Sequence, residues 1–144
     1  MEISEAINIL KNNYNPSFSR NVDKNHWRFE ILTTEGRSQV IEVLYKEKIS
    51  SLDNESRIII ESPIGPIYKN INYEILLRKN SELDIGAICI EDLRNNENLT
   101  VAYLTLRATH ILKTAQDNEI IELAKKVAFG ADKLEKELFA RDYH

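Results

Sequence analysis

The chain has 144 residues and a mass of 16.7 kDa, the size of one domain with a substantial core. Hydrophobic residues make up 42% of it and charged residues 29%, which excludes a disordered chain and indicates a folded globular protein. The net charge is −4 and no cluster of Lys and Arg is long enough to follow a phosphate backbone, so we expect no nucleic-acid partner. One domain is predicted over residues 1–144.

The cysteine count and the N-terminal residues indicate the compartment. Cys89 is the single cysteine, so no disulfide can form within the chain and a reducing environment is expected. The first five residues are acidic rather than basic, and no apolar run reaches the ~20 residues needed to cross a bilayer. We therefore expect a cytoplasmic protein with no membrane contact.

The first 26 residues predict a short helix followed by a loop. Ile3, Ile7, Leu10 and Tyr14 recur at helical spacing, and Ser4 is placed to cap the helix. Residues 12–26 are rich in Asn and Ser around a proline, a composition typical of turns, and predict a flexible surface loop.

Three strands are predicted next. From Trp27 to Leu32 every second residue is apolar, so Trp27 and Phe29 fall on one face of a strand. A turn at residues 34–37 leads to a second strand over residues 39–46, and a third strand covers residues 57–61. The first two strands form a predicted hairpin.

The segment from Asn70 to Lys79 predicts a helix with two apolar stripes. At 100° per residue, Ile71 and Ile75 lie on one side, and Tyr73, Leu76 and Leu77 lie toward the other. Such a helix is either buried inside one domain or forms a self-interface, and we favour the interface because a chain of this length has little material to cover a second stripe.

The remaining segments complete an α+β fold. Two further strands are predicted over residues 84–91 and 99–106, and a long amphipathic helix extends from Asp117 to Ala140. The element order is α-β-β-β-α-β-β-α. Short connections between strands exclude parallel crossovers, so the prediction is an antiparallel five-stranded sheet with three helices.

The sequence offers no pattern for catalysis or for a cofactor. His26, His110 and His144 are scattered, the four glycines are isolated, and Cys89 lies in an apolar strand. Neither a zinc motif nor a phosphate-binding loop can be built from them. We expect no enzyme activity, no metal and no cofactor, although a concave pocket with converging polar groups would revive an enzyme or a small-molecule binder.

The succession of segments resembles the type III secretion chaperone-like superfamily, which includes the secretion chaperones and the YbjN-like proteins. The resemblance covers about residues 27–140 and is carried by five stretches. These are Gly36 to Val43, Ile60 to Gly65, Ile75 to Asn80, Ile85 to Ile90 and Ala124 to Leu138. It implies a small, acidic, non-catalytic protein that dimerises through the middle helix and holds an extended segment of a partner protein.

Applied to this sequence, the resemblance predicts two surfaces. Tyr73, Leu76 and Leu77 would form a homodimer interface. A protein or peptide partner would contact strand residues, for which the candidates are Trp27, Phe29, Val43 and Tyr45, although each of these four could equally be core. Two functions stay open: a chaperone-like adaptor, and a YbjN-like stress or signalling regulator that acts through contacts with a folded partner.

Overall fold

An antiparallel sheet forms the centre of the molecule. The computed structural model describes residues 1–14, 18–34, 36–47, 55–68, 70–94 and 97–143. Within those ranges there are three helices and six strands. In chain order they are α1 (Ile3–Tyr14), β1 (Phe18–Asp23), β2 (His26–Leu32), β3 (Ser38–Lys46), β4 (Arg57–Pro66), α2 (Tyr73–Glu82), β5 (Ala87–Arg94), β6 (Thr100–Ile111) and α3 (Asp117–Tyr143).

The strands lie in the order β1-β2-β3-β4-β6-β5, and every neighbouring pair is antiparallel. The predicted α+β class is confirmed, but the prediction of five strands is wrong. The sixth strand, β1, lies in the segment 12–26 that was predicted to be a loop; residues 15–17 of that segment lie outside the described residues. Backbone pairing of β1 with β2 explains the difference, because pairing with a neighbouring strand overrides a weak local preference.

Helix α1 begins two residues earlier than a cap at Ser4 would allow. It starts at Ile3, and the carbonyl of Glu2 accepts a bond from the amide of Ala6 at 3.2 Å. Ser4 therefore lies inside the first turn, and the prediction that it caps the helix is wrong. At the other end the Tyr14 hydroxyl donates to the carbonyl of Ile121, which ties α1 to α3. Burial, together with the nearby Glu122 carboxylate, raises the pKa of Tyr14 to about 12.

The core lies on one face of the sheet, which the helices cover. A first cluster joins α1 and the first half of α3 to strands β2, β3 and β4, with Ile41, Val43 and Ile60 fully enclosed. A second cluster joins α2 and the second half of α3 to β4 and β6. It contains Ile64, Leu76, Leu104, Leu106, Ala131, Leu134 and Phe139. In the described part of the chain, no helix is long and apolar enough to cross a membrane.

Strand β4 passes so close to α3 that one of its residues has no room for a side chain. A Cβ atom placed on Gly65 would lie 2.8 Å from Cε2 of Phe139, a ring that is itself buried. We expect Gly65→Ala to lower the free energy of unfolding by about 2 kcal/mol, since the ring must shift within a packed core. Urea denaturation measures this change. An alanine variant as stable as the parent would show that Phe139 moves without cost.

Candidate functional site

Helix α2 has different ends from those predicted, and its caps explain why. Asn72 is the N-cap residue, and its side chain accepts a bond from the amide of Ile75 at 3.2 Å, so the helix begins at Tyr73 rather than at Asn70. Asn80, one residue beyond the predicted end at Lys79, lies inside the helix, which continues to Glu82. The side chain of Asn80 accepts a bond from the amide of Ile88 at 2.6 Å and thereby fixes α2 to β5.

Only a narrow stripe of α2 is buried. Leu76 is 5% exposed and belongs to the second core cluster, whereas Tyr73 is 52% exposed and Leu77 is 69% exposed. The two predicted dimer contacts Tyr73 and Leu77 are thus accessible. Leu76 is not, and the prediction that it contacts a second copy is wrong because its side chain packs inside its own domain.

One exposed row of α2 lies toward the edge strand β5. Tyr73, Leu77 and Asn80 follow each other at helical spacing, and Asn80 contacts the start of β5. Ile90 lies two residues after Ile88, on the same face of β5, and is 55% exposed. Tyr73 and Leu77 of α2 and Ile90 of β5 are thus exposed apolar side chains on two elements that Asn80 joins, and we call these three residues the edge surface.

The opposite row of α2 lies toward α3. Lys79, one turn after Ile75, pairs with Glu137 of α3 at 2.8 Å. Between the two helices lies a groove with a volume of about 490 Å³. The groove, which we call the α2–α3 groove, is lined by Tyr68, Asn70, Ile71, Asn72, Ile75, Leu76, Leu138 and Phe139. Its walls are mainly apolar, and its volume falls within the range of ligand pockets.

The predicted partner-binding residues lie on the covered face of the sheet. Phe29 and Val43 are almost fully buried in the first core cluster, so their prediction as partner contacts is wrong. Trp27 and Tyr45 are half-buried and pack against the same cluster. The Tyr45 hydroxyl lies 3.2 Å from that of Ser56, in hydrogen-bonding contact. These four residues contribute to the core rather than to a surface shared with the edge surface or with the groove.

The other face of the sheet, which we call the open face, carries a row of charges that crosses five strands. Arg28, Glu42, Glu61 and Arg107 are direct neighbours in register on β2, β3, β4 and β6. Arg28 Nε donates to Glu42 Oε1 at 2.6 Å, and Arg107 Nε donates to Glu61 Oε2 at 2.9 Å. Arg107 also pairs with Glu91 of β5. The row is not recognisable in the sequence, because the register between strands joins residues that are far apart along the chain.

Glu61 is the buried member of the charged row. It is 7% exposed, and its carboxyl group accepts a bond from Arg107, which also pairs with Glu91. Burial, followed by the bond to Glu91 and that group's negative charge, raises the pKa of Glu61 to about 7 despite the opposing effect of Arg107.

The described side chains contain no group of three or more His, Cys, Asp and Glu residues that could hold a metal ion. Cys89 lies on the open face opposite Thr105, and burial raises the pKa of its thiol, which disfavours the reactive thiolate. No protein-family model matches the chain, and none of the curated proteins matches it. We therefore infer the function from the edge surface and the α2–α3 groove.

Proposed function

We propose that this protein is a non-catalytic protein-binding module of the chaperone-like or adaptor kind, which acts as a homodimer in the cytoplasm. The observation that carries the proposal is the exposure of apolar side chains on two sides of a single helix. Monomeric proteins rarely leave apolar side chains grouped in this way, and such a patch marks an interaction site. The single cysteine supports a reducing compartment.

In this proposal the two sides of α2 have different occupants. A second copy covers the edge surface of Tyr73, Leu77 and Ile90, which includes the strand β5, the last strand of the sheet in the described part of the chain. A symmetric dimer would bury the same side chains of both copies. The α2–α3 groove would receive apolar side chains from an extended segment of a partner protein, in the manner of an apolar anchor entering a pocket. The resemblance to secretion chaperone-like and YbjN-like proteins agrees with both roles.

The dimer is tested by measuring the mass of the protein in solution. We expect light scattering after size-exclusion chromatography to give a mass of twice 16.7 kDa for the parent protein. The double variant Tyr73→Ser/Leu77→Ser should have the mass of one chain, because it removes the apolar area that the second copy covers. Leu32→Ser is the matched control, since Leu32 is also highly exposed but lies away from α2. A parent protein that has the mass of a monomer at micromolar concentration would contradict the proposed dimer.

The groove is tested separately with Ile75→Ser. This variant changes a groove residue on the α3 side of the helix, so we expect it to remain dimeric and to lose bound polypeptide when the protein is purified from its native cells and analysed by mass spectrometry. An extended, aggregation-prone partner supports the chaperone-like function. A folded partner in fixed stoichiometry supports the alternative, a YbjN-like regulator. Equal recovery of polypeptides by Ile75→Ser and the parent would argue against the groove as the binding site.

A further inference from the structure

The edge strand β5 is connected to the interior of the sheet by one cluster of side chains on the open face. Arg107 of β6 is bonded on one side to Glu61 of β4 and on the other side to Glu91 of β5. The carboxyl group of Glu61 also interacts electrostatically with that of Glu91, since both contact the same guanidinium group. This cluster spans three neighbouring strands, and Glu61 at its centre is 7% exposed.

The groups around the cluster leave little spare positive charge. On the neighbouring strand β3, the residue opposite Glu61 is Glu42. Its carboxylate is bonded to Arg28 at 2.6 Å and to His26 at 2.5 Å. From β5 the cluster meets the Cys89 thiol as well as Glu91. When Glu61 and Glu91 are both ionised, Arg107 must neutralise two carboxylates in contact, with a third carboxylate on the next strand. The negative charges of neighbouring carboxylates repel one another, and burial strengthens the repulsion.

We propose that Glu61, Arg107 and Glu91 form a proton-dependent clasp that holds β5 against the sheet, closed while Glu61 carries a proton and loosened when Glu61 is ionised. Among the described residues, the strand at the end of the clasp pairs with β6 on one edge and with no strand on the other. Edge strands of this kind open locally before the rest of a sheet does, so a change in one cluster of contacts is measurable there.

The direction of the pH effect follows from proton binding. The pKa of Glu61 is about 7 in the closed clasp, against an ordinary value of 4.5 once the carboxyl group is exposed. The closed form therefore binds the proton more tightly, and raising the pH through 7 favours opening. When opening also exposes the Glu61 carboxyl group fully, these two values give a roughly tenfold rise in the population of the open form between pH 6 and pH 8.

Hydrogen–deuterium exchange read by NMR or mass spectrometry measures that population for each strand. With rates normalised to the intrinsic exchange rate at each pH, we expect the protection of the β5 amides bonded to β6 to fall roughly tenfold between pH 6 and pH 8. The amides of β3 should change little. In Glu61→Gln the β5 protection should be independent of pH, because the amide cannot ionise. If the first variant does not fold, Glu91→Gln tests the clasp instead: it removes a negative charge that raises the pKa of Glu61, so the fall in β5 protection should move to lower pH.

Two controls separate the clasp from other effects. Glu30→Gln makes the same chemical change on the open face of β2, where Glu30 bonds to Ser38 at 2.7 Å, and should leave the β5 response unchanged. Tyr73→Ser/Leu77→Ser should keep the response as well, so that failure of the proposed dimer and failure of the clasp are distinguishable. The clasp is overturned if the β5 amides are unprotected at pH 6, or if their protection does not change with pH. It is also overturned if raising the pH lowers β5 protection equally in Glu61→Gln, or lowers the protection of β3 by the same factor.

Discussion

Truncating Leu76 to alanine is expected to lower the free energy of unfolding by about 3 kcal/mol. The side chain is 5% exposed and packs among Leu104, Leu106 and Leu134 in the second core cluster. Removing three carbon atoms there costs their transfer free energy and leaves a cavity that the surrounding strands and helices cannot close completely. Urea denaturation followed by circular dichroism, at two protein concentrations, gives the change. The loss should be the same at both concentrations, because this packing is within one copy.

The neighbouring residue provides the matched control. Leu77→Ala makes the same substitution one position along the same helix, and Leu and Ala have similar helix propensities, but Leu77 is 69% exposed. We expect its effect within one copy to be about 0.5 kcal/mol or less, with any larger effect appearing only as concentration dependence from the proposed dimer. Equal losses in the two variants at low concentration would contradict the assignment of Leu76 to the core and Leu77 to the surface.

This pair of leucines shows what periodicity can and cannot predict. Spacing placed Tyr73, Leu76 and Leu77 on one broad apolar side of the helix, and the helix does carry apolar residues beyond its buried stripe. The boundary between buried and exposed, however, passes through that group. Its position depends on where α2 lies relative to β5 and α3, and the contacts that set this are Asn80 with Ile88 and Lys79 with Glu137. Those contacts join separate elements, so no local pattern encodes them.

The long helix was predictable because its signal is local and repeated. Apolar residues from Ile120 to Leu134 recur every three or four positions, and Ile120, Val127 and Ala131 are buried as that spacing requires. The strand β1 is the opposite case. Its residues favour turns when considered alone, and the strand exists through backbone pairing with β2. Local composition therefore predicted a loop where a neighbouring strand determines the structure.

The sheet illustrates a third limit. Alternation correctly divided β2 into an apolar face with Trp27 and Phe29 and a polar face with Arg28, but it could not tell which face the helices cover. The residues selected as partner contacts were consequently core residues. The charged row on the open face required the register between strands, since Glu61 and Arg107 are separated by 46 positions. The one local sign of the charged row was Glu61, a glutamate that directly follows three isoleucines in a predicted strand.

Replacing Arg37 with alanine is expected to destabilise the fold by about 3 kcal/mol. Arg37 lies in the connection between β2 and β3, and its Nε and Nη2 atoms contact one carboxylate oxygen of Asp132 on α3 at 2.9 and 2.8 Å. Asp132 is 3% exposed. The variant leaves this buried carboxylate with Lys136 alone, at 3.4 Å, and an incompletely paired buried charge is costly. Denaturation in urea of the parent and variant measures the loss.

The control for Arg37 is an arginine–carboxylate ion pair that is exposed to solvent. Arg78 and Glu74 lie one turn apart on α2 at 2.9 Å with both side chains well exposed, so Arg78→Ala should cost less than about 0.5 kcal/mol. The double variant Arg37→Ala/Asp132→Ala should be more stable than Arg37→Ala, because it removes the stranded charge, and a double-mutant cycle with Asp132→Ala gives the coupling energy. If the double variant is less stable than Arg37→Ala, Asp132 contributes through other contacts, and the cost of Arg37→Ala does not arise from its buried charge.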